Sequence, residues 1–545
     1  MTLAGATATA SPHHSSRAVE QSGPAWFRWL APSIADVIFI AIFFALTYGP
    51  LQTRLLGDAG TGWHIRNGQH ILQTRAVPRE DYFSYTMFGQ RWYSWEWLYD
   101  VAAGATDSLL GLNGIVLLSA LVIAGVFALL LRRTVARSGH LLSAALFVIL
   151  SFMASSIHFL ARPHLFTWLF VLVWWEILEN ATSSSESNRQ SLRSLLWLPV
   201  LMLIWVNVHG GFIVGLALIG LYLAGALWDR WRAPDNAAHA VETNRIHNLG
   251  VAGLLTLAAT VVNPHGYKLW QHIYGYLTSS FYMNNIQEFL SPNFHHAAEK
   301  FFAAVLLLSF LVLALNRRKL RAAHLLVILF SVYAGLYAAR NIPIACILLT
   351  LTVAPLLSDV VAKASSQLAP AAGSLFSRRL LAKLDGLSGR LARTELGFRG
   401  HIVPVLFVAG TLWVCAHGGR LGDRQLLNAH FDDHRFPVKA ADYLATHGVQ
   451  RQVFNPDYWG GYLIYRLNGY QVFTDDRHDF YGEDFVKDYI KVKDVQPNWE
   501  SVLDRWHVNW VLIRPESTLA NALKEIPKWR VVYDDGVAII FGRRS

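Results

Sequence analysis

The sequence predicts a polytopic α-helical membrane protein with a C-terminal α/β domain. Of its 545 residues, 53% are hydrophobic and only 15% are charged. Apolar runs close to the ~20 residues that a helix needs to cross a bilayer recur as far as residue 417. From about residue 430 the composition changes to that of a soluble domain. These observations exclude a soluble globular enzyme.

Eleven segments have the apolar character of membrane-spanning helices, give or take one or two. They divide the chain into a cytosolic tail at 1–33, a transmembrane bundle at 34–417 with a long first outer loop at 53–111, and a C-terminal domain at 418–545. The predicted spans are 34–52, 112–131, 140–158, 164–180, 195–208, 211–228, 248–263, 301–316, 322–339, 342–357 and 401–417.

The distribution of basic residues predicts the orientation of this bundle. One side of the predicted topology holds 21 Lys and Arg, and the other side holds nine up to residue 417. Because basic residues are retained in cytosolic loops, we expect a cytosolic N-terminus and an extracytoplasmic C-terminal domain, in the plasma or inner membrane. Topology also explains the net charge of +10, so we expect no nucleic-acid partner. The segment 376–393 alternates basic and apolar residues at helical spacing, which predicts a helix on the anionic cytosolic lipid surface.

The C-terminal domain has the pattern of a small α/β fold. Short β-rich runs alternate with helical stretches, and together they suffice for one core. The predicted strands are Gln452 to Asn455, Gln471 to Thr474, Trp510 to Arg514, Arg530 to Tyr533 and Val537 to Gly542, and the predicted helices are 437–446, 482–492, 498–506 and 517–525.

Polar residues gather at five turns on the predicted outer ends of the spans. An ionisable group at membrane depth costs ~2.5 to 3.5 kcal/mol on insertion scales, so such groups usually line a cavity and have partners. The five turns therefore predict one outward-opening polar cavity. Taken singly, His209 and His265 also fit interfacial helix caps. The alternative role of Arg162 and Arg340 is to reach lipid headgroups, and the alternative role of Asp58 is to cap a helix. The predicted cavity residues are Asp58, His64, His158, Arg162, His164, Asn207, His209, His265, Arg340 and Asn341.

The first outer loop carries the most distinctive motifs of the chain. These are D-x-x-x-x-W-H-I-x-x-G from Asp58, V-P-x-x-D-x-F-S-Y-T from Val77 and W-x-x-x-E-W-L from Trp92. Together with R-N-I-P at 340–343, N-P-D-Y-W-G-G-Y-L at 455–463 and D-D-R at 475–477, they resemble bacterial membrane proteins usually placed beside the GT-C superfamily of polyprenyl-phosphate-sugar glycosyltransferases. The resemblance covers nearly the whole chain.

The resemblance implies a hexosyl- or pentosyltransferase that moves a sugar from a polyprenyl phosphate to an acceptor hydroxyl at the outer membrane face. GT-C enzymes often carry a pair of acids in the first loop, whereas here Asp58 is followed by Ala59. Asp81 is the candidate for the second carboxylate. The acceptor, a glycan, a lipid or a protein, stays open.

Direct displacement of the sugar requires a base near the acceptor hydroxyl and positive charge near the departing phosphate. We assign the base to Asp58 and the phosphate clamp to Arg340, with Arg162 as its partner, since guanidinium binds phosphate in a bidentate manner. The histidines could donate hydrogen bonds to substrate or, with Asp58, ligate a divalent metal ion. The candidate substrate-binding residues are His64, His158, Arg162, His164, His209, His265, Arg340 and Asn341.

Two other classes of function stay open from the sequence. A secondary transporter would place polar residues near mid-bilayer and show related halves, and neither is evident. A non-catalytic scaffold or sensor would explain a displayed C-terminal domain, but it would not explain five polar turns at one end. Within that domain, Tyr458, Trp459 and Tyr462 fit sugar-stacking residues, with Asp475, Asp476 and Arg477 bonding hydroxyls. The same residues also suit a structural role. In that case the first three form a tight strand-to-helix turn, and the others form an acid–Arg pair that fastens the domain to the bundle.

Overall fold

The computed structural model describes residues 26–182, 188–367, 375–449 and 451–544. Most of the predicted cytosolic tail lies outside the described residues. The helices of the bundle region are Phe27–Leu30, Ile34–Thr47, Gln52–Leu55, Gly60–Thr74, Trp97–Ser138, Leu141–Ser155, His164–Ala181, Asn188–Leu195, Trp197–Val208, Phe212–Trp231, Asn236–Ala259, Lys268–Thr278, Ser280–Asn285, Ala297–Leu315, Ala322–Tyr337, Ile342–Gln367, Leu375–Gly397 and Ile402–Ala416, with 3-10 turns at Ser156–His158, Gln287–Phe289 and Ala339–Asn341.

Seven of the described helical segments are long and apolar enough to cross a membrane. An eighth arises if Leu380–Gly397 and Ile402–Ala416, which meet at 61°, count as one span. The multi-pass architecture is therefore confirmed at this coarser count. The three further predicted spans form helices that are shorter or more polar, namely His164–Ala181, Asn236–Ala259 and Ala322–Tyr337.

The helix Trp97–Ser138 is divided by a break at Gly111, whose φ of 62° and ψ of −162° are readily reached only by glycine. The break separates an arm at 97–110 from the predicted span at 112–131. The arm packs against the helix Gly60–Thr74, where a Cβ on Gly68 or Gly104 would collide with the opposing backbone. The first loop is therefore a packed structural element that lies against the bundle.

The predicted surface helix at 376–393 forms as Leu375–Gly397 and packs against the ends of several spans. The Glu395 carboxylate accepts hydrogen bonds from the backbone N–H of Ile34 at 2.6 Å and of Ala35 at 3.3 Å. Because these are otherwise unsatisfied amides of a helix N-terminus, Glu395 caps the first apolar helix. Leu380 and Leu384 remain exposed on this helix.

The C-terminal domain contains a four-stranded mixed sheet. Its strands β3 (Val453–Phe454), β4 (Trp510–Ile513), β5 (Trp529–Asp534) and β6 (Ile539–Arg543) lie in the order β3-β4-β6-β5, with β3 parallel to β4 and the other pairs antiparallel. A separate hairpin pairs β1 (Arg420–Leu421) with β2 (Arg424–Gln425). The helices of the domain are Val438–Thr446, Asp457–Arg466, His478–Tyr481, Glu483–Lys493, Trp499–Arg505 and Thr518–Glu525.

The predicted strand at Gln471 to Thr474 does not form. Val472 makes only an isolated parallel bridge to Ser84 of the first loop, in which the Val472 N–H donates to the Phe83 carbonyl at 2.9 Å. The β-rich pattern of this run thus reflects pairing with the first loop rather than membership of the domain sheet.

Two further contacts join the C-terminal domain to the first loop. The helix Asp457–Arg466 crosses the helix Gly60–Thr74 so closely that a Cβ on Gly62 would collide with the Gly461 carbonyl. The Arg477 guanidinium bonds in a bidentate manner to Asp475, at 2.8 and 2.7 Å, and pairs with Asp81 at 2.9 Å. Loop and domain therefore form one continuous structure.

Candidate functional site

A cavity of about 460 Å³ lies between the bundle and the C-terminal domain. Its wall combines side chains from the first loop, from the turns between helices and from the segment between the helices Asp457–Arg466 and Glu483–Lys493. The ionisable and amide side chains on this wall are Asp58, Glu96, Asp100, His158, Arg162, His164, His209, Glu288, Arg340, Asn341, Asp476, Arg477 and Asp479.

Arg162 joins two carboxylates that come from distant parts of the chain. Its Nη1 bonds to Asp58 Oδ2 at 3.0 Å and to Asp476 Oδ2 at 2.7 Å. Each carboxylate is oriented by its other oxygen, since Asp58 accepts from the Gly60 N–H at 2.7 Å and Asp476 accepts from Trp63 Nε1 at 2.8 Å. Burial, and then the negative charge of Asp58, raise the pKa of Asp476. One guanidinium thus holds two oriented carboxylates at the cavity wall.

Glu96 is a buried carboxyl group on the same wall. Burial raises its pKa to about 8, and the carboxylates of Asp479 and Asp476 contribute to the rise. Its Oε1 lies 3.7 Å from His209 Nε2 and its Oε2 lies 3.8 Å from His64 Nε2. Both distances exceed hydrogen-bond length. This raised pKa favours the protonated form of Glu96 at neutral pH.

The tautomer of His209 follows from its neighbours. Its Nδ1 accepts from the Gly211 N–H at 3.0 Å and faces Thr167 Oγ1 at 2.9 Å, while that hydroxyl itself accepts from Trp205 Nε1. Nδ1 is thus the acceptor nitrogen, and Nε2 carries the hydrogen toward Glu96. Burial, and then the positive charge of Arg340, lower the pKa of His209 to about 3, so the ring is neutral.

His64 is fully buried behind this wall. Its Nδ1 lies 2.5 Å from Asp100 Oδ1, and Asn67 Nδ2 donates to the other oxygen of Asp100 at 2.6 Å. Burial, and then Arg162, lower the pKa of His64 well below its usual value, so the ring is neutral. His64 thus lies behind Glu96 and does not itself line the cavity.

Arg340 lies on the cavity wall in an ion pair. Its Nη1 bonds to Glu288 Oε1 at 3.1 Å, and its guanidinium lies 4.6 Å from the centre of the Phe289 ring. Although burial opposes it, Arg340 holds the pKa of Glu288 at about 2. Within the described parts of the chain, the remaining N–H groups of Arg340 have no side-chain partner, and they are the donors available to a ligand.

Three more predicted residues lie on the wall, and the structure gives each a local bond. His164 Nε2 donates to the His158 carbonyl at 2.9 Å, while His158 Nε2 is buried and has no partner within the described residues. Asn341 Nδ2 donates to the Ala334 carbonyl at 3.1 Å. Of these, His158 keeps a buried nitrogen that a ligand could satisfy.

Two predicted site residues lie elsewhere. Asp81 is buried in an ion pair with Arg477 and accepts from Ser84 Oγ at 2.6 Å, so it joins the loop to the domain. Asp81 does not line the cavity, whereas Asp476 does. His265 lines a separate pocket, because the turn that carries it lies beyond Tyr93 and Trp92.

Sequence reasoning did not assign Glu96, Glu288 or Asp476 to the predicted cavity. Glu96 and Asp476 lie in the motifs W-x-x-x-E-W-L and D-D-R, so the sequence motifs could have pointed to both residues. Glu288 lies in a 3-10 turn without any repeating pattern, and only the fold brings it to Arg340.

A divalent metal ion would need several His, Cys, Asp or Glu side chains close together. Across the described residues, no group of three or more His, Cys, Asp or Glu side chains is arranged to hold one. The carboxylates nearest the centre of the site are paired instead with arginines.

No protein-family model and no curated protein sequence matches the chain. Among solved structures, the chain is similar to apo ArnT from Cupriavidus metallidurans, with 14% identity, coverage of 93% of this chain and 97% of that chain, and a TM-score of 0.48. It is also similar to the same enzyme bound to undecaprenyl phosphate, with 13% identity, coverage of 93% and 96%, and a TM-score of 0.41. A third similar structure is the Archaeoglobus fulgidus oligosaccharyltransferase tethered with an acceptor peptide, with 13% identity, coverage of 94% and 74%, and a TM-score of 0.48.

Each of these identities is 14% or less and each TM-score is below 0.5, so the resemblance to the GT-C superfamily stays a prediction from the sequence motifs. The likeness concerns the general course of the chain. No residue role, donor or acceptor passes from these enzymes to this protein.

Proposed function

We propose that the protein is a membrane glycosyltransferase that moves a sugar from a polyprenyl-phosphate donor to an acceptor hydroxyl at the outer face of the cell membrane. The observation that carries this proposal is the meeting of the Asp58–Arg162–Asp476 group and the Arg340–Glu288 pair in one cavity. Oriented carboxylates and a guanidinium with unused donors are the two kinds of group that a displacement at a phosphate-linked sugar needs.

In this reaction Asp58 accepts the proton of the acceptor hydroxyl as its oxygen attacks the anomeric carbon. The bond from that carbon to the phosphate oxygen breaks, and the polyprenyl phosphate leaves with the bonding electrons. Arg340 stabilises the charge that develops on the phosphate, through N–H groups that Glu288 leaves unused. Asp476 and Arg162 keep the Asp58 carboxylate oriented, and Glu96 provides a proton-bearing carboxyl in the same wall.

The apolar part of the wall supports a lipid donor. Leu160, Ile213 and Val214 line one part of the cavity, and Ile273 and Leu277 line another. Leu277 is also 45% exposed at the surface of the protein, so apolar side chains continue from the cavity to the outside. A prenyl chain is the ligand that such a surface suits.

The proposal is tested by following a radiolabelled polyprenyl-phosphate sugar in membranes that contain the protein. We expect the label to leave the lipid-phosphate fraction with the wild-type chain and to remain there with Arg162→Gln, which releases both carboxylates. Arg466→Gln is the matched control, because Arg466 forms a single pair with Asp442 on the exposed surface of the domain. Equal donor consumption by wild type and Arg162→Gln would overturn the proposal.

A secondary transporter is the less favoured alternative. Its key residues should lie near the middle of the spans, whereas the cavity groups lie at turns and helix ends. A scaffold or sensor needs neither the oriented carboxylates nor the raised pKa of Glu96.

A further inference from the structure

A second cavity, of about 450 Å³, lies beside the first. The two cavities share Trp92, and Tyr93, a wall residue of the first cavity, contacts the His265 ring at 5.0 Å between ring centres. The second cavity is lined by Arg79, Glu80, Arg91, Trp92, His265 and Lys268, with Gly89 and Pro264 completing its wall. No function proposed above uses it.

The second cavity has more cations than acids on its wall. Within the described residues, Arg79, Arg91 and Lys268 have no carboxylate within 4.0 Å, and Glu80 is the only acid on the wall. By contrast, the arginines of the first cavity are all paired with carboxylates, as at Arg162. Three cations against one acid leave the wall with an excess of positive charge, which attracts an anion.

The backbone joins the two segments that carry Arg79 and Arg91. Glu80 and Arg91 form an antiparallel bridge, and the Trp92 N–H donates to the Arg79 carbonyl at 2.8 Å. The Arg91 guanidinium also lies 5.0 Å from the centre of the Tyr93 ring, which restrains its direction. Arg79 and Arg91 are therefore held on neighbouring strands of the first loop.

The turn at 263–266 supplies the opposite wall. The Asn263 side chain accepts from the His265 N–H at 2.8 Å and donates to the Thr260 carbonyl at 2.8 Å, while Gly266 has a φ of +57°. This geometry presents His265 and the nearby Lys268 to the arginines of the loop.

His265 has one buried nitrogen that no group satisfies. The ring bonds to the Ser94 backbone, while Nε2 is buried and has no partner among the described residues. Burial, and then the positive charges of Arg79 and Arg91, lower the pKa of His265 to about 4. An anion placed among the cations would neutralise this field and favour a proton on Nε2, which would then donate to the anion.

We propose that this second cavity binds a phosphate or diphosphate group. The three cations and His265 can donate to several oxygens of a multiply charged phosphate, and the volume accommodates such a group together with part of the molecule that carries it. The phosphate can belong to a membrane lipid or to a molecule that is not a bilayer component. If the proposed transfer holds, the second case makes this cavity an anchor for a phosphate-bearing acceptor beside Glu96.

The experiment measures the binding of inorganic pyrophosphate to the full chain in phosphatidylcholine nanodiscs by isothermal titration calorimetry. We expect wild type to bind, and the double variant Arg79→Gln/Arg91→Gln to bind at least about tenfold more weakly, because two charge-assisted donors are lost. The matched control is Arg54→Gln/Arg75→Gln, which removes two charges from the same loop outside the cavity and should bind as wild type does. Absence of binding by wild type, or equal binding by the cavity variant, would overturn the proposal. Equal binding is the result expected if pyrophosphate occupied the first cavity only.

A second arm identifies the source of the phosphate. If phosphatidic acid in the nanodiscs weakens pyrophosphate binding in wild type but not in the cavity variant, the ligand is a lipid headgroup. If phosphatidic acid has no effect, the site takes a phosphate from a molecule that is not part of the bilayer. Pyrophosphate binding requires no turnover, so Asp58→Asn should bind pyrophosphate as wild type does. If the proposed transfer reaction fails, the binding measurement still tests the second cavity.

Discussion

Asp58 and Asp476 share Arg162, yet they come from positions more than 400 residues apart in the chain. Asp58 lies between the helices Gln52–Leu55 and Gly60–Thr74, and Asp476 lies between the helices Asp457–Arg466 and His478–Tyr481. Because each carboxylate is oriented by a different donor, a substitution at Asp58 can remove its charge without displacing Asp476.

We expect Asp58→Asn to abolish turnover while leaving the binding of bare polyprenyl phosphate largely intact. Asparagine keeps the shape and an acceptor for the Gly60 N–H but cannot accept a proton, and loss of a general base typically costs ~10² to 10⁴ in rate. Transfer from a radiolabelled donor in reconstituted membranes measures the first effect, and lipid-phosphate binding measures the second. Asp442→Asn, at an exposed pair with Arg466, is the control. Normal turnover of Asp58→Asn would eliminate Asp58 as the base.

Arg340→Ala should weaken binding of polyprenyl phosphate as well as turnover, because it removes the unused N–H donors of the cavity wall. Arg340→Lys should restore binding only in part, since an ammonium group cannot form the bidentate contact. Binding of the bare lipid phosphate in nanodiscs is the measurement. Arg318→Ala, which breaks a more exposed pair with Asp359, is the control. Unchanged lipid binding in Arg340→Ala would exclude the clamp.

Glu96→Gln should change the pH dependence of stability. The folded protein raises the pKa of Glu96 from 4.5 to about 8, so between these values the folded state keeps a proton that the unfolded state loses. Stability therefore falls as the pH rises from about 4.5 to about 8. Glutamine cannot ionise, so the variant should gain thermal stability over wild type at pH 8 relative to pH 5, as measured by unfolding in detergent. Glu500→Gln, on an exposed helix, should show no such gain, and an identical profile for Glu96→Gln would contradict the raised pKa.

The sequence could place Asp58, Arg162 and Arg340 near one another because each follows or precedes an apolar run at the same predicted end of the bundle. The same reasoning failed for His265, because the helix end that carries it lies behind Tyr93 and Trp92. Glu288 could not be assigned, since its position depends on the path of an irregular segment between spans.

At the scale of elements, the crossing of the helices Gly60–Thr74 and Asp457–Arg466 is the contact on which the site depends. Gly62→Ala should lower thermal stability and turnover together, because its Cβ would meet the Gly461 carbonyl and force the two helices apart. Overpacking of this kind typically costs ~1 to 3 kcal/mol. Thermal unfolding in detergent and donor consumption are the measurements. Gly220→Ala, in a span position with open space around the Cβ, should be tolerated, and a wild-type response of Gly62→Ala would refute the close contact.

The elements most accurately predicted from the sequence are those with a strong local pattern. The helices Val438–Thr446, Glu483–Lys493, Trp499–Arg505 and Thr518–Glu525 lie within one or two residues of their predicted bounds. The helix Asp457–Arg466 was not predicted, because adjacent glycines favour a turn locally and only the close crossing with the first loop explains them. The helix that joins the domain to the first loop could therefore not be predicted from the local sequence pattern.

At the scale of the whole molecule, the proposed reaction requires the cavity to face the extracytoplasmic side. Reporter fusions at Arg137, Arg232 and Arg318 should report the cytosol, and a fusion at Ser545 should report the opposite side, because 21 Lys and Arg lie on one side of the predicted topology against nine on the other. Paired alkaline phosphatase and fluorescent protein fusions make the measurement. A cytosolic C-terminus would reverse the orientation and remove the outer-face reaction.

The pairing of Arg162 with both Asp58 and Asp476 also has a consequence for the synthesis of the protein. The ribosome makes Asp58 and Arg162 long before it reaches Asp476, so the second carboxylate partner of Arg162 is not yet present in the nascent chain. The cavity wall becomes complete only when residues 475 to 479 have been translated and the domain has docked on the first loop. A chain released before that point lacks the part of the cavity wall that Asp476, Arg477 and Asp479 form.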